Sequence, residues 1–483
     1  MQQESLKNKT IKGVGWSAAD AFLGQGVTFF VGLVLARLLS PDEYGLIGIC
    51  LIFTTVLNGI VDSGFSNALI RKKEVTDEDY NTMFTTNMVM STVLYVMLFA
   101  SAPLVSDFFH REELTTLVRA TGLVLFFNAL SITQVTILTK RIDFKKKTRA
   151  SIISAIVSGG IGVFMACWGL GVWALVGQLL SKQLLYSICL WILNRWWPNY
   201  KFSVESFRYM WGFGWKLLVS GLLNNIWNQL YQVVVGKFYS PATLGQYTRS
   251  RQFACLFSDN FTTIIQRVSY PALANIQDNK EQMTSAYRKI IKMTMFITVS
   301  VLFVLAAVSE PLIHWLLGIK WHESAMFLPL ICFSMSLYPL HAINLNMLQI
   351  QGRSDIFLRL EIIKKFIAIF PILVGIFIGI YWMLVASIIT GVISFFLNSY
   401  YTGKKLNYSS LTQLRDVAPF YVIATIVSFV IYFFKYLCLP NLCILLIQLF
   451  VAIGLFLIIC HSLKLSEYLE LKKIVLSVVR KIR

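Results

Sequence analysis

The chain is predicted to be an all-α integral membrane protein of about fourteen transmembrane helices, built as two halves on one plan. Three observations predict this. Of 483 residues, 56% are hydrophobic and only 14% are charged, a composition outside the range of soluble domains. Apolar runs of spanning length follow one another from 14–38 to 442–461, and no connection between them is long enough for an independent soluble domain. Landmarks of the first half also recur about 200 residues later in the second.

The repeat can be followed along the chain. Gly13-Val14-Gly15-Trp16 opens a span that ends at Ser40-Pro41 and Gly45. Gly212-Phe213-Gly214-Trp215 opens another, which ends at Ser240-Pro241 and Gly245. Ala102-Pro103-Leu104-Val105 is matched by Glu310-Pro311-Leu312-Ile313. Arg141, Asp143 and Lys147 are answered by Arg353, Asp355 and Arg359. Gly171-Val172-Trp173 is matched by Ile380-Tyr381-Trp382. Offsets that drift slowly are what loop insertions between duplicated elements produce. Duplication inside a membrane predicts a transporter whose site lies where the halves meet.

Charge supplies orientation. About three-quarters of the 43 Lys and Arg residues fall in the termini and in connections on the same side as the N-terminus. The segment 140–149 is the densest. Both termini are therefore expected to be cytoplasmic, and the net charge of +19 is expected to meet anionic lipid headgroups rather than nucleic acid. The first apolar run carries Asp20 and lacks a small-residue cleavage site, so it reads as a true span rather than a signal peptide.

Polar residues within the spans point to a lumen, because such groups are costly in lipid. In the seventh span Lys216, Ser220, Asn224, Asn228 and Gln232 recur every four residues on one helical face, widened by Asn225, Gln229 and Tyr231. The eighth span presents Gln252, Cys255, Asp259, Thr262 and Gln266. The first two spans repeat the pattern sparsely, with Ser17, Asp20, Gln25 and Thr28, then Thr55, Asn58 and Asp62. The bland reading is interhelical hydrogen bonding, but stripes on the first two helices of both halves favour a water-filled path. Arg37, Lys182, Lys216, Arg249, Arg251 and Arg267 lie within spans or at their ends and suit an anionic head, with snorkelling as the alternative for the end residues. Asp20, Asp62 and Asp259 either pair with these cations or bind a coupling ion.

Other chemistry is not signalled. The chain has no phosphate loop, HExxH or GxSxG motif, so neither an enzyme nor a cofactor is expected. The eight cysteines include no CxxC pair, and Cys and His show no metal-ligand spacing. Buried free thiols are expected, with Cys438 and Cys443 the one pair placed to form a disulfide across a short turn. From Leu463 onward an apolar stripe (Leu465, Tyr468, Leu469, Ile474, Val475, Val478, Val479, Ile482) opposes Lys472, Lys473, Arg480 and Lys481, predicting a helix on the inner membrane surface, with a partner-docking helix as the alternative.

The segment Ala36-Arg37-Leu38-Leu39-Ser40-Pro41-Asp42-Glu43-Tyr44-Gly45, closing a span that opens with Gly-Trp, resembles the polysaccharide transporter family. These are Wzx-type flippases of the multidrug/oligosaccharidyl-lipid/polysaccharide (MOP) superfamily. Ala68-Leu69-Ile70-Arg71-Lys72 resembles the colanic- and teichuronic-acid exporter branch. The resemblance implies a MATE-like fold, with an N-terminal lobe at 1–200 (spans 1–6) and a C-terminal lobe at 201–402 (spans 7–12). Two additional helices would follow at 403–462, and an amphipathic tail at 463–483. It also implies a bacterial inner-membrane protein that moves undecaprenyl-diphosphate-linked oligosaccharide outward by alternating access, with a polysaccharide polymerase among its pathway partners. The six cations named above become diphosphate candidates. Gln25, Ser220, Asn224, Asn225, Asn228, Gln229, Gln232 and Gln252 become sugar-contact candidates. The rivals are a multidrug cation extruder of the same superfamily, which would rely on carboxylates, and a membrane polymerase or glycosyltransferase, which would need a large outer loop.

Overall fold

The computed structural model describes residues 24–473, apart from positions 63, 200, 275, 277 and 278. The regular elements among them are helical, and ten segments are long and apolar enough to cross a membrane. The chain is thus an all-helical, multi-pass membrane protein. Contacts divide it into two compact units, Met1–Gly245 and Gln246–Arg483.

The first unit holds α1 (Gln25–Leu38), α2 (Pro41–Asp62), α3 (Phe65–Arg71), α4 (Asp77–Phe109), α5 (Glu113–Gly122), α6 (Val124–Lys140), α7 (Phe144–Cys167), α8 (Val172–Asn194) and α9 (Val204–Phe238). α10 (Pro241–Ala274) leads into the second unit. There follow α11 (Lys280–Ala307), α12 (Ser309–Leu316), a 3-10 turn (Ile319–Trp321), α13 (His322–Ser336), α14 (Tyr338–Ile350) and α15 (Ser354–Ile367). The last helices are α16 (Ile369–Phe377), α17 (Ile380–Leu406), α18 (Ser410–Tyr432) and α19 (Asn441–Ser462). This packing boundary falls later than the repeat boundary at 200/201, because α9 packs on α2, α3 and α4 of the first unit.

The repeated Ser-Pro motif marks a helix start in both halves. Ser40 Oγ accepts from Glu43 N at 3.3 Å while Glu43 Oε2 accepts from Ser40 N at 2.6 Å, a capping box on α2 with Pro41 in the first helical position. Ser240 Oγ accepts from Thr243 N at 3.1 Å, an N-cap on α10. The two motifs also pack on each other. A Cβ added at Gly45 would overlap the Pro241 carbonyl, and one added at Gly245 would overlap the Pro41 carbonyl. Backbone meets backbone there, and only glycine fits.

Other repeat landmarks differ in detail. Pro103 sits inside the unbroken α4, whereas Pro311 lies in α12, after a break at Val308. Gly171 (φ 55°) and Gly379 (φ 145°) each precede a helix, so the true register pairs Val172 with Ile380, one residue from the alignment by tryptophans. The Ala68–Lys72 segment is a packing element. Ala68 and Leu69 are buried with Phe65, Met83 and Met210, the Arg71 guanidinium lies 5.2 Å from the Phe213 ring centroid, and Lys72 pairs with Asp79 at 2.8 Å.

The described part of the tail makes contacts with the protein that the apolar stripe does not predict. Residues 466–473 are helical and dock on α11, where Lys289 pairs with Glu470 at 2.5 Å and Lys292 pairs with Glu467. Leu465 and Tyr468 pack against the core that contains Tyr287, Met295 and Phe420. The acidic residues on the docking side explain these contacts, since they seek the α11 lysines rather than an anionic headgroup. Residues 474–483 of the predicted stripe lie outside the described ones.

Candidate functional site

α9 has 35 residues, about 52 Å of helix, yet falls short of the apolarity of a standard span. Its polar residues are the reason. Lys216, Ser220, Asn224 and Asn228 are all exposed on one face. Trp215, Val219, Leu223 and Ile226 are exposed beside them, about 100° around the helix. One side thus suits lipid and the adjacent side requires water. Asn225, Gln229 and Gln232 are half-buried along the flank. Asn225 is held against α2, where a Cβ on Gly59 would stand 2.6 Å from its Nδ2.

A second polar centre lies inside the first unit. Lys182 of α8 is half-buried and donates to Thr28 Oγ1 of α1 at 3.1 Å. The next residue, Gln183, donates to Asn128 Oδ1 at 3.2 Å and to Ser131 Oγ at 3.3 Å on α6. Asn128 in turn donates to Asn58 Oδ1 of α2 at 2.8 Å. Amides of three helices are therefore chained beside the Lys182 ammonium. Sequence reading singled out Asn58 and Lys182 but missed Asn128, Ser131 and Gln183. The usable signal was the three-residue spacing of Asn128, Ser131 and Gln134 on α6. Asp62 accepts from Ser66 Oγ at 2.5 Å, and Thr136 donates to the same hydroxyl at 2.9 Å, so this carboxylate is engaged within its own unit.

In the second unit α10 carries the cations. Arg249 is 4% exposed, its Nη1 donates to Gln252 Oε1 at 2.6 Å, and its guanidinium lies 5.7 Å from the Trp321 ring centroid. It is enclosed by protein rather than reaching for a headgroup. Gln246 anchors the same end by accepting from Ser324 N at 2.9 Å and donating to Lys320 O at 2.8 Å. Arg251, Cys255 and Asp259 follow at four-residue intervals and act on one another electrostatically. A separate network ties α11, α14 and α18 together. Arg288 binds Asp416 at 2.5 Å, Tyr408 donates to Asp416 at 2.7 Å, and Tyr287 donates to Asn344 at 2.8 Å.

Arg37 is exposed in the last turn of α1. Asp20 and the side chains of Gln25 and Arg267 lie outside the described residues. All eight cysteines are free, and Cys167, Cys438 and Cys443 are exposed. Among the described residues no group of three or more His, Cys, Asp or Glu side chains has metal-holding geometry.

Long helices with polar faces, interleaved with apolar spans, define a multi-pass helical membrane protein. A solved structure of the lipid II flippase MurJ, in an inward closed conformation, matches this fold with a TM-score of 0.73 at 16% identity, covering 94% of this chain and all (100%) of that one. The chain belongs to the polysaccharide biosynthesis protein family, which matches residues 34–326. It is 25% identical over 376 residues to the lipopolysaccharide biosynthesis protein WzxC of Escherichia coli, covering 77% of this chain and 76% of that protein. It is 24% identical over 331 residues to the succinoglycan biosynthesis transport protein ExoT of Rhizobium meliloti, covering 68% and 67% respectively.

Proposed function

We propose that the protein moves an undecaprenyl-diphosphate-linked oligosaccharide from the cytoplasmic to the outer leaflet by alternating access. The observation that carries this reading is the exposed polar face of α9, Lys216 to Asn228, on a helix long enough to span the bilayer. Amides and hydroxyls at that spacing suit a glycan's hydroxyl groups, and Lys216, Lys182 and Arg251 suit its diphosphate. The names of WzxC and ExoT, a lipopolysaccharide and a succinoglycan protein, support a cell-surface glycan as cargo.

No phosphate loop is present, so the driving force is sought elsewhere. An inside-negative potential contributes about 2.3 kcal/mol per charge per 100 mV and favours outward movement of an anion. Both termini are taken as cytoplasmic from the charge asymmetry, with a polysaccharide polymerase receiving the product outside. Depletion of the protein tests the proposal. Lipid-linked oligosaccharide should accumulate on the inner leaflet. Dye hypersensitivity without such accumulation would instead identify a cation extruder.

A further inference from the structure

One cluster in the second unit serves neither the polar faces nor the core. His314, near the end of α12, and His322, the first residue of α13, bring Nε2 and Nδ1 to within 3.2 Å. Their rings stack at 5.3 Å between centroids, with 26° between planes. His314 is half-buried and His322 is exposed, so solvent ions reach the pair. α11 separates this end of the unit from Lys289 and Lys292, and the charge asymmetry places it on the outer side.

Two neutral imidazole nitrogens at this separation have a specific capacity. A tetrahedral divalent ion with Zn–N bonds of about 2.0–2.1 Å requires its nitrogens about 3.3 Å apart. The observed 3.2 Å matches that bite without movement of either helix. Glu310, one turn before His314, bears on the His314 charge, and its carboxylate is held in place by Lys435 at 3.2 Å. The short 3-10 turn between the helices, with Trp321 fully buried, fixes the two backbones relative to each other.

We propose that His314 and His322 form a two-nitrogen site for a borderline divalent transition ion such as Zn²⁺ or Ni²⁺, with water completing the coordination and the ion clamping α12 to α13. Imidazole is the common protein ligand of these ions, and Mg²⁺ or Ca²⁺, which prefer oxygen, would not compete.

The test uses the full chain purified without a histidine tag, in detergent micelles, titrated with Zn²⁺ and separately with Mg²⁺. One saturable Zn²⁺ site per chain is expected, together with a rise in melting temperature on saturation that Mg²⁺ does not produce. His314→Ala and His322→Ala should each weaken binding by at least about tenfold and abolish the thermal rise. His110→Ala, in the first unit, should change neither. Both site residues are at least partly exposed, and melts without metal confirm that the variants fold. Absence of a saturable site, or Zn²⁺ affinity that survives both substitutions, would overturn the proposal.

Discussion

Glycines 45 and 245 illustrate how single residues govern this chain. Each lies four positions after a helix-starting proline, and each lets the other motif's backbone come into contact. Gly45→Ala or Gly245→Ala should destabilise the protein by about 1–3 kcal/mol, because a carbonyl must move to admit the methyl group. Thermal melts in detergent would show it, and an unchanged midpoint would mean that the helix starts separate at no cost. Lys182 behaves differently. Its partner among the hydrogen bonds of the described residues is a hydroxyl, Thr28 Oγ1, so Lys182→Gln should leave folding nearly intact. Transport should nevertheless fall at least tenfold, by about 1.4 kcal/mol or more, if the ammonium meets the cargo's anionic head. Asn128→Ala removes the link between Asn58 and Gln183 and should cost about 1 kcal/mol, as interhelical hydrogen bonds in membranes generally do. Both effects were open to sequence reasoning only in part. Lys182 stood out as a cation in an apolar run, whereas Asn128 gains its meaning from side chains on α2 and α8.

Helices are the scale at which polar spacing becomes a surface. In α9 the four-residue rhythm of Lys216, Ser220, Asn224 and Asn228 was legible because 3.6 residues per turn keeps such positions on one face. Replacing Asn224 and Asn228 together by Leu should preserve the fold, since both are exposed, while lowering transport of lipid-linked oligosaccharide. Full transport by that double variant would remove the stripe from the cargo path. The helix at 466–473 shows the converse, a packing contact that its apolar stripe alone does not reveal. Burial raises the Glu467 carboxyl, but its hydrogen bonds, led by that from Lys292, outweigh this and hold it below its usual value of 4.5. A carboxyl depressed on folding stabilises the docked state above its unfolded value. That contribution is lost as pH falls from about 4.5 through the lowered folded value. The protection of amides in 466–473 against hydrogen exchange, taken relative to the intrinsic rate at each pH, should therefore fall on acidification through that window. In Glu467→Gln that protection should already be low at neutral pH and nearly independent of pH.

Across the whole molecule, energy coupling is the open quantity with a direct measurement. Asp20, Asp62 and Asp259 are the carboxylates proposed to take a coupling proton or sodium ion. Asp62 is already hydrogen-bonded to Ser66, and Asp259 shares α10 with Arg251. Changing all three to Asn should abolish the dependence of transport on an ion gradient while leaving its dependence on membrane potential. Ion-dependent transport in the triple variant would exclude these carboxylates as carriers and leave the potential as the sufficient force.

Membrane class, helical content and family were all determined by the sequence alone. Hydrophobic run length, charge asymmetry and repeated Gly-Trp and Ser-Pro landmarks are local properties, set by bilayer thickness and by helix-cap chemistry. Tertiary structure decided what each landmark does. The Ser-Pro-x-x-x-Gly motifs turned out to be reciprocal contacts, α9 packs with the first unit's helices, and Arg249 lies enclosed beside Trp321. None of these is encoded within one turn of helix. Each depends on which distant side chain or backbone comes to lie opposite, and that is set only when helices separated by tens to hundreds of residues pack together.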